Sequence, residues 1–194
     1  MNALVIYCHP VEGSFCSAIR DAAIQGLQNA GHHVDVIDLA ADNFDPVMSS
    51  DEWDLYYSSN GAIPHGMEEY VRKVKGADIL CFVYPTWWST VPAQLKGWIE
   101  RVMIFDVAYT LNANNKVRPA LKNVRKIYTF TTFGSPRWYV WFINNNGRRL
   151  LSRALRLSTG KASFHSKALY AMDTQTDDQR EKFLQQVTAK MGRA

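Results

Sequence analysis

The chain has 194 residues, of which 47% are hydrophobic and 21% are charged, a composition typical of a globular protein with one well-buried core. The formal net charge of +4 is mild, and a dedicated nucleic-acid binder carries denser Lys and Arg clusters, so we expect no nucleic-acid partner. The three cysteines have neither the even count of a disulfide framework nor CxxC spacing, which argues against disulfides and a zinc site.

The first residues, MNALVIYCHP, enter an apolar run without a basic leader or a cleavage site. No apolar stretch reaches the ~18 residues that a membrane-spanning helix needs. We therefore expect a cytoplasmic protein that does not span a membrane. No internal repeat or low-complexity segment divides the chain, so the sequence predicts one domain over residues 1–194.

The start of the chain has the pattern of a βαβ unit. Residues 4–8 form an apolar, β-branched run, typical of a strand that is buried on both faces of a parallel sheet. Ser14 is a candidate N-cap for a helix over residues 15–30, which stops at Gly31. Alternating apolar residues then predict a second strand over residues 33–39.

The same alternation of strands and helices continues to the end of the chain. The further predicted strands are residues 78–84, 124–132 and 161–171. The further predicted helices are residues 67–75, 93–104, 139–157 with a break at 144–147, and a last helix capped by Thr176. Residues 106–120 are predicted to be irregular. Residues 40–66 are predicted to be a long excursion with a short helix at 50–57. This excursion is either a surface insertion or a segment that shapes a site.

Strands that alternate with helices throughout predict an α/β protein with a parallel sheet. Five strands favour the order 2-1-3-4-5, with helices on both faces of the sheet. In that order the first, third and fourth strands are neighbours, so the loops at their carboxyl ends converge on one site.

The first of these loops suits a phosphate group. His9 follows the first strand, and Ser14 precedes a helix whose backbone N–H groups and dipole attract anions. His9 can add a donor or a positive charge, but it can equally be a strand-end histidine in a turn. Ser14 can likewise be an ordinary N-cap. The loop has neither GxGxxG nor Walker spacing.

The second loop, from Pro85 to Ser89, carries Trp87 and Trp88. Adjacent tryptophans point in different directions, so at least one is expected to face a ligand rather than the core. The third loop contains Thr131, Thr132 and Gly134. Its polar atoms suit the N–H and C=O edge of a flat ring, and the glycine lets the backbone come close to that edge. The alternative interpretation is a plain turn between a strand and a helix. Together the loops predict a flat ligand that carries oxyanions, such as a flavin.

Three motifs, HPxxxSF, YPTWWSTVPAQLKGWIERV and TTFGSPRW, resemble the flavodoxin-like NAD(P)H dehydrogenase (quinone) family, from about residue 3 to residue 138. The resemblance implies a flavodoxin-like three-layer sandwich that binds one FAD or FMN per subunit. It also implies hydride transfer from NADH or NADPH through flavin N5 to a quinone-like acceptor, in ping-pong order, and commonly a homodimer. An electron carrier and a regulatory subunit of a transporter are the alternatives.

The residues that match the family's cofactor-binding loops can be read off by position. Tyr139 matches a tyrosine near the flavin and is the candidate catalytic residue. Two positions depart from the family: Cys16 stands where an Asn is usual, and Asn145 stands near the position of the mammalian catalytic histidine. Phe133 replaces a frequent glycine and is expected to narrow the substrate pocket. The implied cofactor-binding residues are His9, Ser14, Phe15, Cys16, Pro85, Thr86, Trp87, Trp88, Ser89, Thr131, Thr132, Phe133 and Gly134.

Two surface features complete the expectations. Trp138, Trp141 and Phe142 form an aromatic cluster that either lies at a subunit interface or packs within the chain. A run of arginines, Arg148, Arg149, Arg153 and Arg156, is expected to be a solvated face unless it meets an acidic partner.

Overall fold

A computed structural model describes residues 1–57 and 61–194; Ser58, Ser59 and Asn60, which belong to the predicted excursion, lie outside the described residues. The strands are β1 (Asn2–Tyr7), β2 (His33–Asp38), β3 (Ile79–Pro85), β4 (Tyr109–Leu111), β5 (Val117–Pro119), β6 (Lys126–Thr132) and β7 (Ser163–Leu169). The α-helices are α1 (Phe15–Asn29), α2 (Ser50–Tyr57), α3 (Glu68–Gly76), α4 (Ala93–Val102), α5 (Arg137–Phe142), α6 (Asn146–Arg149) and α7 (Asp177–Met191). A π-helical segment (Leu150–Leu155) continues α6, and a 3₁₀ turn (Met172–Thr174) precedes α7.

The main sheet has the order β2-β1-β3-β6-β7, and every neighbouring pair is parallel. This is the predicted order 2-1-3-4-5, because β4 and β5 form a separate hairpin. The hairpin lies in the segment that was predicted to be irregular, and that prediction is wrong there. Its strands are three residues long, too short for a periodic signal, and Asn112 Oδ1 closes the turn by accepting from the N–H of Asn114 and Lys116.

Both faces of the sheet are covered, which explains the continuous apolar runs of the strands. One core layer joins the sheet to α3, α4 and the π-helical segment through residues such as Trp98 and Leu151. The other joins it to α1 and α7 through residues such as Ile19 and Val187. The N-caps of α1 and α7 are Ser14 and Thr176, as predicted, and Thr176 forms a full capping box with Gln179.

The excursion after β2 is tied to α4, and its short helix α2 has the predicted bounds. Gly97 of α4 has no side chain, so the backbone of Pro46 lies directly against it, where a Cβ would clash. Arg101 of α4 donates from Nε to both carboxylate oxygens of Glu52 at 3.1 Å, and its guanidinium lies over the ring of Phe44. These contacts place α2 beside α4.

The register of the sheet brings the three predicted loops together. Tyr7 at the end of β1 pairs with Val83, and Pro85 at the end of β3 pairs with Thr132 at the end of β6. The chain therefore leaves three adjacent strands at the same edge. In open α/β sheets this edge is where ligands bind.

Candidate active site

The first loop ends in an uncovered helix terminus. Ser14 Oγ accepts from the N–H of Ser17 at 3.2 Å, and the Ser14 carbonyl accepts from Ser17 Oγ at 2.6 Å. The N–H groups of Phe15 and Cys16 have no acceptor within the helix, because they precede its first hydrogen-bonded turn. With the dipole of the 15-residue α1, they form a site suited to a phosphate.

Behind this loop lies a group of residues that the sequence analysis missed. The Tyr7 hydroxyl lies 3.4 Å from Ser14 Oγ, and the Arg20 guanidinium lies 4.7 Å from the centre of the Tyr7 ring. Arg20 also pairs with Asp38 at 3.4 Å. Burial raises the pKa of Tyr7, so its hydroxyl stays protonated and can donate. The signal in the sequence is a tyrosine as the last strand residue before the loop.

Cys16 faces inward rather than toward the loop surface. It is buried, and its Sγ lies 3.7 Å from Thr132 Oγ1. Burial raises the pKa of the Cys16 thiol to about 11, although the Thr132 contact lowers it. The side chain at the family's Asn position therefore links α1 to β6 and does not reach a phosphate. Phe15 is half-buried and packs its ring against Phe183 at a centroid distance of 6.2 Å.

His9 connects the first loop to the second. Its Nδ1 lies 3.1 Å from the backbone N and 3.2 Å from the carbonyl O of Val11, as in the strand-end turn that was the alternative interpretation. Its ring centroid lies 6.0 Å from the ring of Trp87. The imidazole is thus held by its own loop and forms part of a shared aromatic surface.

The second loop is a tight turn with a strained backbone. Trp87 and Thr90 exchange backbone hydrogen bonds of 3.1 and 3.0 Å, and both residues between them have positive φ, 46° at Trp88 and 63° at Ser89. Such a pair of left-handed residues is the type I′ geometry that usually takes Asn-Gly. The turn leaves the Trp88 side chain 99% exposed and Trp87 partly exposed. Backbone strain of this kind clusters at ligand sites, where the surrounding structure holds it.

The third loop is joined to the second by hydrogen bonds. The Thr86 N–H donates to the Thr132 carbonyl at 2.9 Å, and the hydroxyls of Thr86 and Thr131 lie 2.9 Å apart. Thr131 and Thr132 are both buried, so their hydroxyls bond within the protein and not at its surface. Pro85, the last residue of β3, is buried beneath them.

Phe133 does not narrow a pocket, contrary to the expectation from the sequence. Its side chain is 3% exposed and stacks on Tyr170 with an interplanar angle of 12°. Its backbone donates to Leu169 and accepts from Met172, which fixes the loop to the end of β7. Gly134, the next residue, is exposed, and a Cβ there would lie 3.1 Å from Asp173 Oδ2. Asp173 was not predicted, since it lies 39 positions later in the chain.

The segment after α5 also reaches the site. Gly147 packs against the residues that follow the second loop, so that a Cβ would lie 3.3 Å from Val91 N. Asn145 has a positive φ of 41° and caps α6, with its Oδ1 accepting from the Arg148 N–H at 3.2 Å. The side chain at the position of the family's histidine is therefore engaged as a cap. Tyr139 is partly exposed and packs edge-on against Trp138.

The donor set at this edge suits a flavin. It combines a helix terminus for phosphate, an aromatic turn for a flat ring and an exposed glycine for close approach to a polar ring edge. Within the described residues, no group of three or more His, Cys, Asp or Glu side chains has the arrangement of a metal site.

Comparisons with known proteins point in the same direction. A family model described as a flavodoxin-like fold matches residues 1–193. The NAD(P)H dehydrogenase (quinone) 1 of Cavia porcellus is 35% identical over 153 residues, which cover 71% of this chain and 55% of that protein. This chain thus spans about half the length of that curated relative.

Several solved structures cover almost the whole chain. Smu.1420 from Streptococcus mutans UA159 is 29% identical, with a TM-score of 0.88 and full coverage of both chains. The NAD(P)H:quinone oxidoreductase from Methanothermobacter marburgensis is 26% identical, with a TM-score of 0.83, and the match covers 99% of this chain and 96% of that one.

Proposed function

The chain belongs to the flavodoxin-like fold family, and from this premise we propose that it is a flavin-dependent NAD(P)H oxidoreductase. When bound, the flavin supplies the redox chemistry: hydride acceptance at N5 from the nicotinamide and delivery of two electrons to a quinone-like acceptor, in ping-pong order. FAD and FMN suit the site equally, and so do NADH and NADPH.

The observation that carries this proposal is the convergence of three chemically different loops on one sheet edge. The exposed Trp88, beside Trp87, offers a face for the ring, and the N–H groups at the start of α1 offer a seat for phosphate. The backbone of Gly134 can approach the polar edge of the ring. There, N–H donors would stabilise the negative charge that develops on reduction.

The proposed residues divide into those that face a ligand and those that position others. His9, Ser14, Thr86, Trp87, Trp88, Ser89 and Gly134 are proposed to line the cofactor. Five residues are proposed to hold the loops in place because they are buried: Cys16, Pro85, Thr131, Thr132 and Phe133. Phe15 is proposed to do the same, because its ring packs against Phe183. Tyr139 is proposed as the catalytic residue, donating from its hydroxyl. Asn145 cannot take a proton, so no Tyr–His relay is proposed.

The names of similar proteins support the substrate classes. The relative from Cavia porcellus is named as a quinone-linked NAD(P)H dehydrogenase, and the Methanothermobacter structure as an NAD(P)H:quinone oxidoreductase. We propose the same donor and acceptor classes for residues 1–194, acting as one domain. A cytoplasmic location is proposed on the sequence alone.

We also propose a homodimer, joined across a groove of about 540 Å³ between α2, α4 and the π-helical segment. Apolar side chains dominate its lining, including Ile99 and Met103. Trp53 and Tyr56 stack on each other at its edge with a ring distance of 6.1 Å. Aromatic residues and methionine are enriched in such interfaces. Sedimentation as a monomer at micromolar concentration would contradict the dimer.

The experiment that tests the function begins with the purified protein. We expect a yellow protein with flavin absorbance, from which denaturation releases one flavin per chain for identification by chromatography. We also expect steady-state oxidation of NADH or NADPH that depends on a quinone acceptor. Bound flavin without this turnover would favour the electron carrier or the regulatory subunit. A colourless protein that takes up neither FAD nor FMN would overturn the proposal.

The second loop offers a direct prediction. Replacing Trp88 by Ala should weaken flavin binding by about tenfold or more, because stacking on an aromatic side chain contributes roughly 1–3 kcal/mol per base in nucleic acid complexes and a flavin offers a comparable face. Without flavin, the unfolding free energy of the Trp88→Ala variant should differ from that of the parent by no more than about 0.5 kcal/mol, because the side chain is exposed. Flavin titration and denaturant unfolding measure the two effects. The matched control, Trp141→Ala, removes another exposed indole outside the three loops and should leave flavin affinity unchanged.

A further inference from the structure

Charge is strongly segregated along the chain. Residues 107–172 contain twelve Lys and Arg and no Asp or Glu. The other 128 residues hold ten Lys and Arg and all eighteen acidic residues. The mild net charge of the whole chain therefore hides one strongly basic region. A solvated surface usually intersperses both signs, so this region is a candidate for binding anions.

The arginines and the lysines of this region lie in different places. The exposed arginines of α6 belong to the segment that carries Tyr139 and Asn145 of the candidate active site. The aromatic cluster of that segment is 70–82% exposed, so packing within the chain, one of its two expected roles, is wrong. Among the described residues, no helix is long and apolar enough to cross a bilayer. Lys126 and Lys167 instead lie in β6 and β7, on the face of the sheet that α7 covers.

A groove of about 390 Å³ lies between α7 and the edge strand β7. Its volume falls within the range of roughly 300–1,000 Å³ that is usual for ligand pockets. Side chains from three elements line it, among them Tyr128 and Phe130 of β6, His165 and Lys167 of β7, and Gln186 and Lys190 of α7. The groove is thus built on two strands and a helix rather than on loops.

The register of β6 and β7 explains why these side chains meet. Tyr128 pairs with His165, and Phe130 pairs with Lys167. Paired residues of neighbouring strands face the same side of a sheet. The His165 ring stacks on Tyr128 at a centroid distance of 4.9 Å. The Lys167 ammonium lies 5.4 Å from the centre of the Phe183 ring of α7, a cation–π contact that holds the lysine in place.

Three ammonium groups surround the groove without a counter-charge. In the part of the chain that the structure describes, Lys126, Lys167 and Lys190 take part in no ion pair within 4.0 Å. Burial and then the charges of Lys190 and Lys126 lower the pKa of His165, so both lysines act on the ring. Glu181, the acidic residue of α7 nearest to Lys190 along the chain, lines another groove, between α1 and α7. The groove beside His165 is therefore electropositive.

Uncharged donors complete the lining. The amide of Gln186 and the backbone of Ser166 both lie at the groove. The Ser163 N–H donates to the Arg125 carbonyl, on the β6 side of the strand. Bonding directions alternate along a strand, so the N–H of Ser166 points away from β6, along the free edge of the sheet. The oxygen atoms of an anion can therefore accept from ammonium, amide and backbone N–H groups.

We propose that this groove binds a compact anion that carries several phosphate or carboxylate oxygens. Lysine ammonium groups act as point charges for such oxygens, and hydrogen bonds between ions are the strong ones. Three ammonium groups favour an anion with more than one negative charge. Tyr128 precedes Thr132 by four residues, ~13 Å along the strand at ~3.3 Å per residue, so the groove is separate from the phosphate site at α1. Anion binding here does not depend on the redox function.

Protection of the sheet edge is a simpler account of only one of these lysines. A lysine in an edge strand hinders pairing with another chain, and Lys167 is such a residue. Lys190 belongs to a helix, and Lys126 belongs to β6, which has a neighbour on each side. Neither of them protects an edge. An anion site accounts for the convergence of all three charges.

The test follows the ring protons of His165 by NMR in the full chain, with His165→Gln to assign the signal. Pyrophosphate and citrate, added at constant ionic strength, should raise the pKa of His165, because a bound anion offsets the charges of Lys190 and Lys126. Chloride at the same ionic strength should not. The exposed His33 of β2 is the internal reference and should not respond. The tighter of the two anions identifies phosphate or carboxylate chemistry.

Substitutions locate the binding in the groove. Lys167→Gln and Lys190→Gln should each weaken anion binding about tenfold, the scale of losing one hydrogen bond to a charged group. The matched control, Lys75→Gln with Lys122→Gln, removes two exposed charges elsewhere and should bind like the parent. Circular dichroism checks that each variant is folded.

Several outcomes would overturn the proposal. They are an unchanged pKa of His165 with both anions, or equal weakening of binding in the control pair. An equal shift with chloride would indicate screening alone. Self-association of Lys167→Gln with unchanged anion binding would assign that lysine to protection of the edge instead.

Discussion

The second and third loops leave neighbouring strands of one sheet, but they present opposite surfaces. The second loop turns outward, with Trp88 fully exposed on a left-handed backbone. The third loop turns inward: Thr131, Thr132 and Phe133 are buried, and its backbone bonds to the second loop and to the end of β7. An exposed indole stabilises nothing in the free protein, whereas a buried phenyl ring stabilises the fold.

The difference separates two kinds of site residue that a motif does not distinguish. Trp88 is available to a ligand, while Phe133 fixes the position of the exposed Gly134 beside it. Substitutions in the second loop should therefore change ligand binding more than stability. Substitutions in the third loop should change stability first. The following predictions test this division, from the largest expected effect to the smallest.

Phe133→Ala should lower the unfolding free energy by about 3–5 kcal/mol, because it leaves a cavity beneath a stacked ring pair. Denaturant unfolding of the flavin-free protein measures the loss. Trp88→Ala, measured in the same way, provides the contrast with an exposed side chain. A loss below about 1 kcal/mol for Phe133→Ala would show that the Phe133 side chain does not hold the third loop in place.

Cys16 should make stability fall at alkaline pH. The folded-state pKa of its thiol is raised to about 11 from an ordinary value of 9.0, so the folded protein keeps the proton longer than the unfolded chain does. This stabilisation is fully present below pH 9 and is lost between pH 9 and 11, a contribution of roughly 2–3 kcal/mol. Unfolding at several pH values should show a shallower alkaline decline for Cys16→Ala than for the parent. Equal slopes would contradict the buried thiol.

Two threonines of β6 form a matched pair. Thr131→Val removes the bond to the Thr86 hydroxyl and should cost about 1 kcal/mol, because Thr86 loses its partner. Thr129→Val in the same strand replaces a buried hydroxyl without a described partner, so it should be neutral or stabilising. The midpoint temperature of thermal unfolding should therefore fall for Thr131→Val. For Thr129→Val it should stay the same or rise. A larger loss at Thr129 would contradict the described hydrogen bonds.

Ser89→Gly should stabilise the protein by up to about 1 kcal/mol, because glycine adopts the positive φ of this position without a steric cost. Ser89→Ala keeps the Cβ and should bring no gain. Denaturant unfolding of both variants measures the difference. A destabilised Ser89→Gly would indicate that the serine side chain, and not the backbone, holds the turn.

Much of the fold could be predicted because the local patterns agree with it. The apolar runs of residues 4–8 and 78–84 predicted strands, and the caps Ser14 and Thr176 set helix starts that the structure confirms. The short hairpin of β4 and β5 could not be predicted, because three-residue strands carry too few residues for a periodicity. Nor could the π-helical segment, whose Leu151 and Leu155 are buried in the core.

At the candidate site, the sequence predicted which residues meet but not which way their side chains point. The strand order follows from counting βαβ units, so the convergence of the loops was predictable. The inward direction of Cys16 and Phe133 was not. It depends on contacts with Thr132, 116 positions away, and with Tyr170 on another loop.

The sequence by itself thus determined the α/β class, the order of the sheet, the three loops at its carboxyl edge and the family resemblance, because these depend on local periodicity and motif order. Only the tertiary structure decided which of the loop residues are exposed and which are anchors. It also brought Gly147 against the residues that follow the second loop. Both depend on side-chain directions and on contacts between distant segments, which no local pattern encodes.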